Sequence, residues 1–389
     1  MRKIYYLTQP MNRASGASKS GYDVLRALSD VQSVQVLSNR NISLKKLPKL
    51  TNPAKWKFIR YPAQSGLGLR SIYRRLMNLF STATYILNGD EKDLFIVNSF
   101  CIYLLDNINL NEFLGTKVCV VRGSVSSFES IDSTISVEKA VEYLSKFDSL
   151  IYVSAKTQDE WQEYKEISNK VSYYIPNCCD EESIDLIPMR DDLLKKYSAS
   201  LDLNGKYIIS CIGSVQYRKG QDILIDAIIN ISLTHPEIVS KIHVFIVGGD
   251  VGGFSATLMH KIEVNGLRDT FTFTGYTSDA LEYLKISNVM VLPSRGEAMP
   301  RSILEAMLIK IPVISTNLDG IPELIDDNIG GILTTPDSVE ELSDAIIFSI
   351  GNEFKMATMS DYSYKKYWEF FSRQAQFQRY RSLIKNDFI

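Results

Sequence analysis

Residues Asn288 to Lys310 constrain the fold more than any other part of the chain. Asn288-Val289-Met290-Val291-Leu292 is an apolar run with the look of a buried parallel strand. Pro293 ends it, and a short polar turn leads to Pro300, a residue suited to the first turn of a helix because its missing N–H costs nothing there. The helix is expected to run through Glu305 to about Lys310. Strand, turn and helix in this order form one unit of an α/β sheet. The free N–H groups and positive dipole end at the helix start make an anion site. Glu297 and Glu305 stand on either side of it. Two carboxylates beside an anion site suit a ligand with hydroxyls at both ends and phosphate between, as in a nucleotide sugar.

Other stretches repeat the pattern. Lys3–Thr8, Asp93–Val97, Lys117–Val121, Ser149–Val153 and Val171–Asn177 read as strands of a first half, the second and third of them buried. Lys206–Ile212, Ile242–Val247, Thr270–Thr274 and Ile311–Thr316 read as strands of a second half, and helical stretches lie between them. Strands alternating with helices imply mostly parallel sheets covered on both faces. The expected boundaries are 1–180, a polar linker at 181–205, a second domain at 206–360 and a C-terminal helix at 361–389.

In the second half, Gly213-Ser214-Val215-Gln216-Tyr217-Arg218-Lys219-Gly220 joins a strand to a helix expected at 221–231. Together with Glu297 and Glu305, eight positions apart, this resembles the retaining glycosyltransferase family 4, with its E-x7-E motif and GT-B fold. The segment Asp319-Gly320-Ile321-Pro322-Glu323 is similar to that family's Gly-Ile-Pro-Glu segment. The resemblance spans essentially the whole chain, with its specific motifs between Gly213 and Glu323. It implies two Rossmann-like domains facing across a cleft, the last helix crossing back to the first. It implies that Glu297 supports the donor sugar, Lys219 receives the leaving phosphate and Glu305 holds the ribose. Arg218, Ser214, Gly213, Met299, Pro300 and Arg301 border the diphosphate, and Tyr276 the base. Gly16 and Arg122 fall on the acceptor side or in the cleft.

There are two departures from the family pattern. Ser214 stands where many members have arginine, and the first half lacks the histidine found near the donor sugar. The three histidines are His235, His243 and His260, and Arg122 occupies the region of the missing one. A salt bridge at a strand end is an equal reading of Arg122.

The expected activity is transfer of a sugar, with UDP-sugars favoured, to a glycan, lipid-linked or protein acceptor in cell-surface polysaccharide or glycoconjugate synthesis. A nucleotide-sugar epimerase of the same fold and a non-catalytic binding partner are the alternatives. No Asp-x-Asp metal motif of the usual kind stands out, so neither an obligatory metal nor a cofactor is expected.

Charge adds a further reading. The 59 residues from Val31 to Gly89 contain no Asp or Glu but ten Lys and Arg. These include Lys45, Lys46, Lys55, Lys57, Arg60, Arg70, Arg74 and Arg75, with Trp56, Phe58 and Tyr61 interleaved. The whole chain is at −2, which excludes a global nucleic-acid signal. A local stretch of this kind suits an anionic lipid surface, at about 1 kcal/mol per basic residue. It equally suits a cover over an acidic patch of the protein itself.

No window reaches the roughly 18 uninterrupted apolar residues of a spanning helix, and the five cysteines form no Cys-x-x-Cys pair. The chain is therefore expected to be cytoplasmic, with peripheral docking at the inner face of the membrane. In liposome sedimentation, docking predicts retention by anionic but not by neutral vesicles, and equal binding to both contradicts it.

Overall fold

In the computed structural model, the residues described are 2–8, 16–38, 50, 52, 54–58, 85–86, 89–98, 108–125 and 135–386. The chain divides into two compact units, one of residues 1–176 with 376–389 and one of residues 177–375.

Unit 1 contains β1 (Ile4–Leu7), β2 (Val34–Ser38), β3 (Ala54–Phe58), β4 (Tyr85–Ile86), β5 (Leu94–Asn98), β6 (Ile108–Asn109), β7 (Thr116–Val121), β8 (Ser149–Tyr152) and β9 (Val171–Tyr174). Seven of these make a parallel sheet in the order β3-β2-β1-β5-β7-β8-β9, while β4 pairs with β6. Strands β1 and β5 are buried along their length and β7 from Val118 onward, as their apolar runs require. Phe95, Val97, Phe113, Leu150 and Trp161 are among the core side chains.

Helix α1 (Gly16–Val31) begins five residues before the expected start at Gly21, so Gly16 is its first residue rather than part of a loop. Strand β3 was not expected. Lys55, Trp56 and Lys57 lie in it, at the edge of the sheet, and Lys55 is exposed. Lysine on an edge strand discourages pairing with another chain, which accounts for part of the basic stretch without a lipid. Lys45, Lys46, Arg60, Arg70, Arg74 and Arg75 lie outside the described residues.

Unit 2 contains β10 (Tyr207–Ile212), β11 (Ile242–Val247), β12 (Phe271–Gly275), β13 (Val289–Leu292), β14 (Val313–Thr316) and β15 (Ile332–Thr334). They form a parallel sheet in the order β12-β11-β10-β13-β14-β15. The order runs one way from β10 to β12 and the other way from β13 to β15. Its reversal lies between β10 and β13, and in open parallel sheets ligands bind at the carboxyl ends of the strands flanking such a point. The loops that meet there are 213–220 and 293–300, the two stretches that carry the sequence motifs.

Helix α2 (Gln221–Thr234) follows the first loop and α3 (Arg301–Leu308) the second. Gly220 joins them closely. Its φ is +67°, and a Cβ there would stand 1.8 Å from the Pro293 carbonyl oxygen. Only glycine permits both that backbone and that approach.

The stretch 181–205, expected as a linker, carries helices at Glu181–Ile184 and Arg190–Ser198 and belongs to unit 2. The expected single terminal helix is interrupted. Helix α4 (Glu353–Lys366) passes into a π-helical turn, Tyr367–Phe371, and Ser372 takes an extended conformation before α5 (Arg373–Asn386). The break has visible anchors. Tyr367 is fully buried and donates to Glu181 at 3.1 Å, while Arg373 binds Asp180 at 2.5 Å and Glu182 at 2.7 Å. Tertiary bonds at residues 180–182 thus hold a kink that propensity alone does not signal.

Candidate active site

Glu297 lies at the centre of the loop after β13, buried. Its Oε1 is in contact with the Lys219 ammonium, stands 3.3 Å from Arg218 Nη1, and accepts from Ser294 Oγ at 3.1 Å. Both cations come from the loop after β10, where Tyr217–Lys219 forms a single 3-10 turn. Gly213 leaves room for the lysine stem: a Cβ there would lie 3.3 Å from Lys219 Cε. Arg218 also donates through Nη1 to the Gly296 carbonyl, and the Arg295 N–H donates to the Arg218 carbonyl at 2.7 Å. The two switch-point loops are therefore laced together at the position where the charges meet.

The backbone of Glu297 is gripped separately. Its N–H donates to Asp319 Oδ2 at 2.7 Å, and the Gly320 N–H donates to its carbonyl at 3.1 Å. Asp319 adopts φ +46°, uncommon for a residue with a side chain but best tolerated by Asn and Asp. This clasp gives the Asp319–Glu323 segment a physical role: it fixes the peptide that carries the carboxylate.

Burial opposes charge on Glu297, but the Lys219 and Arg218 cations, with bonds from Lys219 and Ser294, outweigh it and hold the carboxyl below the ordinary range. Nearby on β10, burial pushes the Cys211 thiol up to about 12; Lys219 opposes this and Glu297 adds to it. Cys211 is thus a neutral thiol rather than a nucleophile.

The start of α3 is braced from the chain at 177–178. Asn177 Nδ2 donates to the Met299 carbonyl at 3.1 Å, and Arg301 Nη1 donates to the Cys178 carbonyl at 2.7 Å. Pro300 is the N-cap of the helix, one position before the expected first turn, and Arg301 is its first residue. Glu305 is buried on α3, which ends at Leu308 rather than Lys310. Ser214 is held by Gln216, whose Nε2 donates to its Oγ at 2.8 Å, and by Gln221, whose Nε2 donates to its carbonyl at 3.0 Å. Tyr276 follows β12, two strands away from β10, and is 61% exposed.

In unit 1, Arg122 follows β7 and is buried; its Nε donates to Asn98 Oδ1 at 2.9 Å and its Nη2 to the Ser20 carbonyl at 3.1 Å. Through these two neutral partners it ties the ends of β5 and β7 to α1.

Residues 195–366 match the family model described as "Glycosyl transferases group 1". Those residues belong to the group 1 glycosyl transferases. The chain is 23% identical to alpha-D-kanosaminyltransferase of Streptomyces kanamyceticus over 223 residues, 56% of this chain and 55% of that protein. It is 25% identical to the lipopolysaccharide core biosynthesis mannosyltransferase LpsB of Rhizobium meliloti over 179 residues, 44% of this chain and 49% of that one. It spans about half the length of the curated relatives it matches.

Among solved structures, the chain is similar to Anabaena Alr3699/HepE, determined with UDP and glucose, at TM-score 0.75 and 20% identity, covering 99% of this chain and 100% of that one. Sucrose-phosphate synthase from Thermosynechococcus elongatus gives 0.75 at 16%, covering 100% and 99%. At such identities the likeness shows the fold, and the fold is GT-B as the sequence resemblance implied.

Arg295, Asp222 and Asp337, which support the site from beside it, carry no mark of that role in the sequence. Arg295 binds Asp222 through two nitrogens at 2.9 and 2.7 Å and Asp337 at 2.6 Å. These partners are 73 and 42 residues away, so no local pattern signals them. Asp319 had a signal, an Asp-Gly pair between strand and helix.

The lowered Glu297 carboxyl has a pH consequence. A depressed carboxylate contributes stability above its unfolded value, about 4.3 for Glu, and loses it as the pH falls through its lower folded value. Glu297→Gln leaves two cations without their counter-charge and is expected to cost about 2 kcal/mol near neutral pH. The melting-temperature gap between wild type and Glu297→Gln should close as the pH falls below about 4. A gap that does not change with pH contradicts the ion pairing.

Proposed function

We propose that the protein is a retaining, metal-independent glycosyltransferase that takes the sugar of a nucleotide diphosphate sugar, UDP-sugars first among them, and passes it to a glycan, lipid-linked or protein acceptor. The observation that carries this reading is the charged Glu297 carboxylate held between Lys219 and Arg218 at the reversal point of the unit 2 sheet. The group 1 match over 195–366 supports it. So do relatives whose names specify sugar transfer and a structural neighbour determined with UDP-glucose.

In this reading Lys219 and Arg218 meet the donor's diphosphate. As the glycosidic bond breaks, negative charge grows on the departing phosphate, and preset cations stabilise that state more than the bound donor. Those two cations, with the backbone N–H groups around Met299 to Arg301, supply the charge that a metal ion supplies elsewhere. Glu297 supports the sugar and Glu305 takes the ribose hydroxyls. The acceptor hydroxyl attacks from the leaving-group face, forms the new bond to the anomeric carbon and gives its proton to the departing phosphate. The configuration at that carbon is retained.

Gly16, Arg122 and Tyr276 keep lesser roles, the first two toward the acceptor and the third toward the base. Cell-surface glycan synthesis is the setting that the lipopolysaccharide relatives favour. Peripheral docking at the inner face of the membrane is part of the proposal and rests on the acid-free basic stretch. Among the described residues no helix is long and apolar enough to cross a membrane.

Glu297→Ala is expected to lower turnover at least tenfold, about 1.4 kcal/mol of barrier. Sugar transfer measured by product mass, with UDP-glucose and GDP-mannose as donors, checks this, and unchanged turnover rejects the assignment.

A further inference from the structure

Arg295 lies beside the proposed diphosphate site without belonging to it. Its Nη1 donates to the Tyr217 carbonyl at 2.6 Å and to Asp222 Oδ1 at 2.9 Å. Its Nη2 donates to Asp222 Oδ2 at 2.7 Å and its Nε to Asp337 Oδ1 at 2.6 Å. The guanidinium carbon lies 3.8 Å from the centre of the Tyr217 ring. All three nitrogens are engaged with the protein, and the side chain is only 14% exposed. A planar fork used in this way is a brace rather than a ligand-binding group.

The brace spans three loops. Tyr217 is the first residue of the 3-10 turn that ends in Lys219, and Asp222 is in the first turn of α2 just beyond it. Arg295 itself is two residues before Glu297 in the loop after β13. Asp337 follows β15, at the far edge of the sheet. Arg218 crosses the same gap in the opposite direction to reach the Gly296 carbonyl. Where the turn 217–219 sits therefore depends on Arg295, and the turn sets where both cations sit.

We infer that Arg295 is a positioning residue that holds the Tyr217–Lys219 turn against the Glu297 loop and thereby sets the grip of Arg218 and Lys219 on a donor diphosphate. The inference rests on the glycosyltransferase reading above. Lysine cannot replace Arg295, because one ammonium nitrogen cannot serve a bidentate carboxylate, a carbonyl and a second carboxylate in the same plane.

The test compares UDP with UMP, and GDP with GMP, by calorimetric titration of the full chain. Wild type should bind one diphosphate more tightly than its monophosphate. Arg295→Lys should shrink that preference roughly tenfold with little change in the monophosphate constant. A purely structural loss would lower the melting temperature or the active fraction and leave the ratio alone. An unchanged ratio in folded Arg295→Lys, even with earlier melting, overturns the inference. If that variant does not fold, Asp222→Asn takes its place: a shrunken ratio supports the inference and an unchanged one overturns it. A wild type that prefers neither diphosphate overturns the glycosyltransferase reading itself and this inference with it.

Discussion

Glu297 between Lys219 and Arg218 is the interaction on which the rest of unit 2 turns. Taking such charges out of water costs several kcal/mol per ion, and their attraction returns that only when the geometry is good and other bonds satisfy what remains. Here Ser294 takes up part of the carboxylate, and Gly296 takes an arginine N–H. Replacing a buried ion pair by hydrophobic side chains of similar volume is often neutral for stability. Charge retained at such a place is therefore better explained by what it meets than by the stability it adds. In the proposed reading, the buried carboxylate kept ionised by two cations is a resting arrangement that an incoming diphosphate would rearrange, since lysine has donors enough for both.

The topology delivers these groups to one place. Each switch-point loop starts at the carboxyl end of a buried strand and ends at a helix start. Parallel strands put all such loops on one edge, and the reversal between β10 and β13 leaves the two motif-bearing loops as neighbours with no crossover helix between them. Asp319 clasps the Glu297 peptide from the loop after β14, and Asp337 engages Arg295 from the loop after β15. Four loops thus fix one carboxylate and two cations, and none of the bonds needs a residue to leave its own strand end.

How much of this could be read from the sequence follows from the range of the forces involved. Strands such as Ile242–Val247 are legible because burial on both faces demands an unbroken apolar run. The motif loops are legible through glycine, proline and charge at set offsets. The start of α1 at Gly16 was missed because small polar residues suit a helix start and a loop alike. The break at Ser372 was missed because it depends on Tyr367 and Arg373 reaching residues 180–182, and β3 because its interleaved lysines hid a pairing with β2. Arg295 is the plainest case: a charged residue in a turn has no local mark that tells a brace from a solvated side chain. Its role exists only once the fold has brought together three loops distant in sequence.

The measurement that tests the central claim most directly is thermal denaturation of wild type and Lys219→Met with UDP, GDP and ADP, each at about a hundred times its wild-type dissociation constant, where one-site binding adds about 2.7 kcal/mol. A diphosphate held by Lys219 should raise the melting temperature of wild type with at least one of the three nucleotides, and the same nucleotide should leave Lys219→Met close to its unliganded value. An equal rise in both proteins would place the diphosphate elsewhere and contradict the site described here.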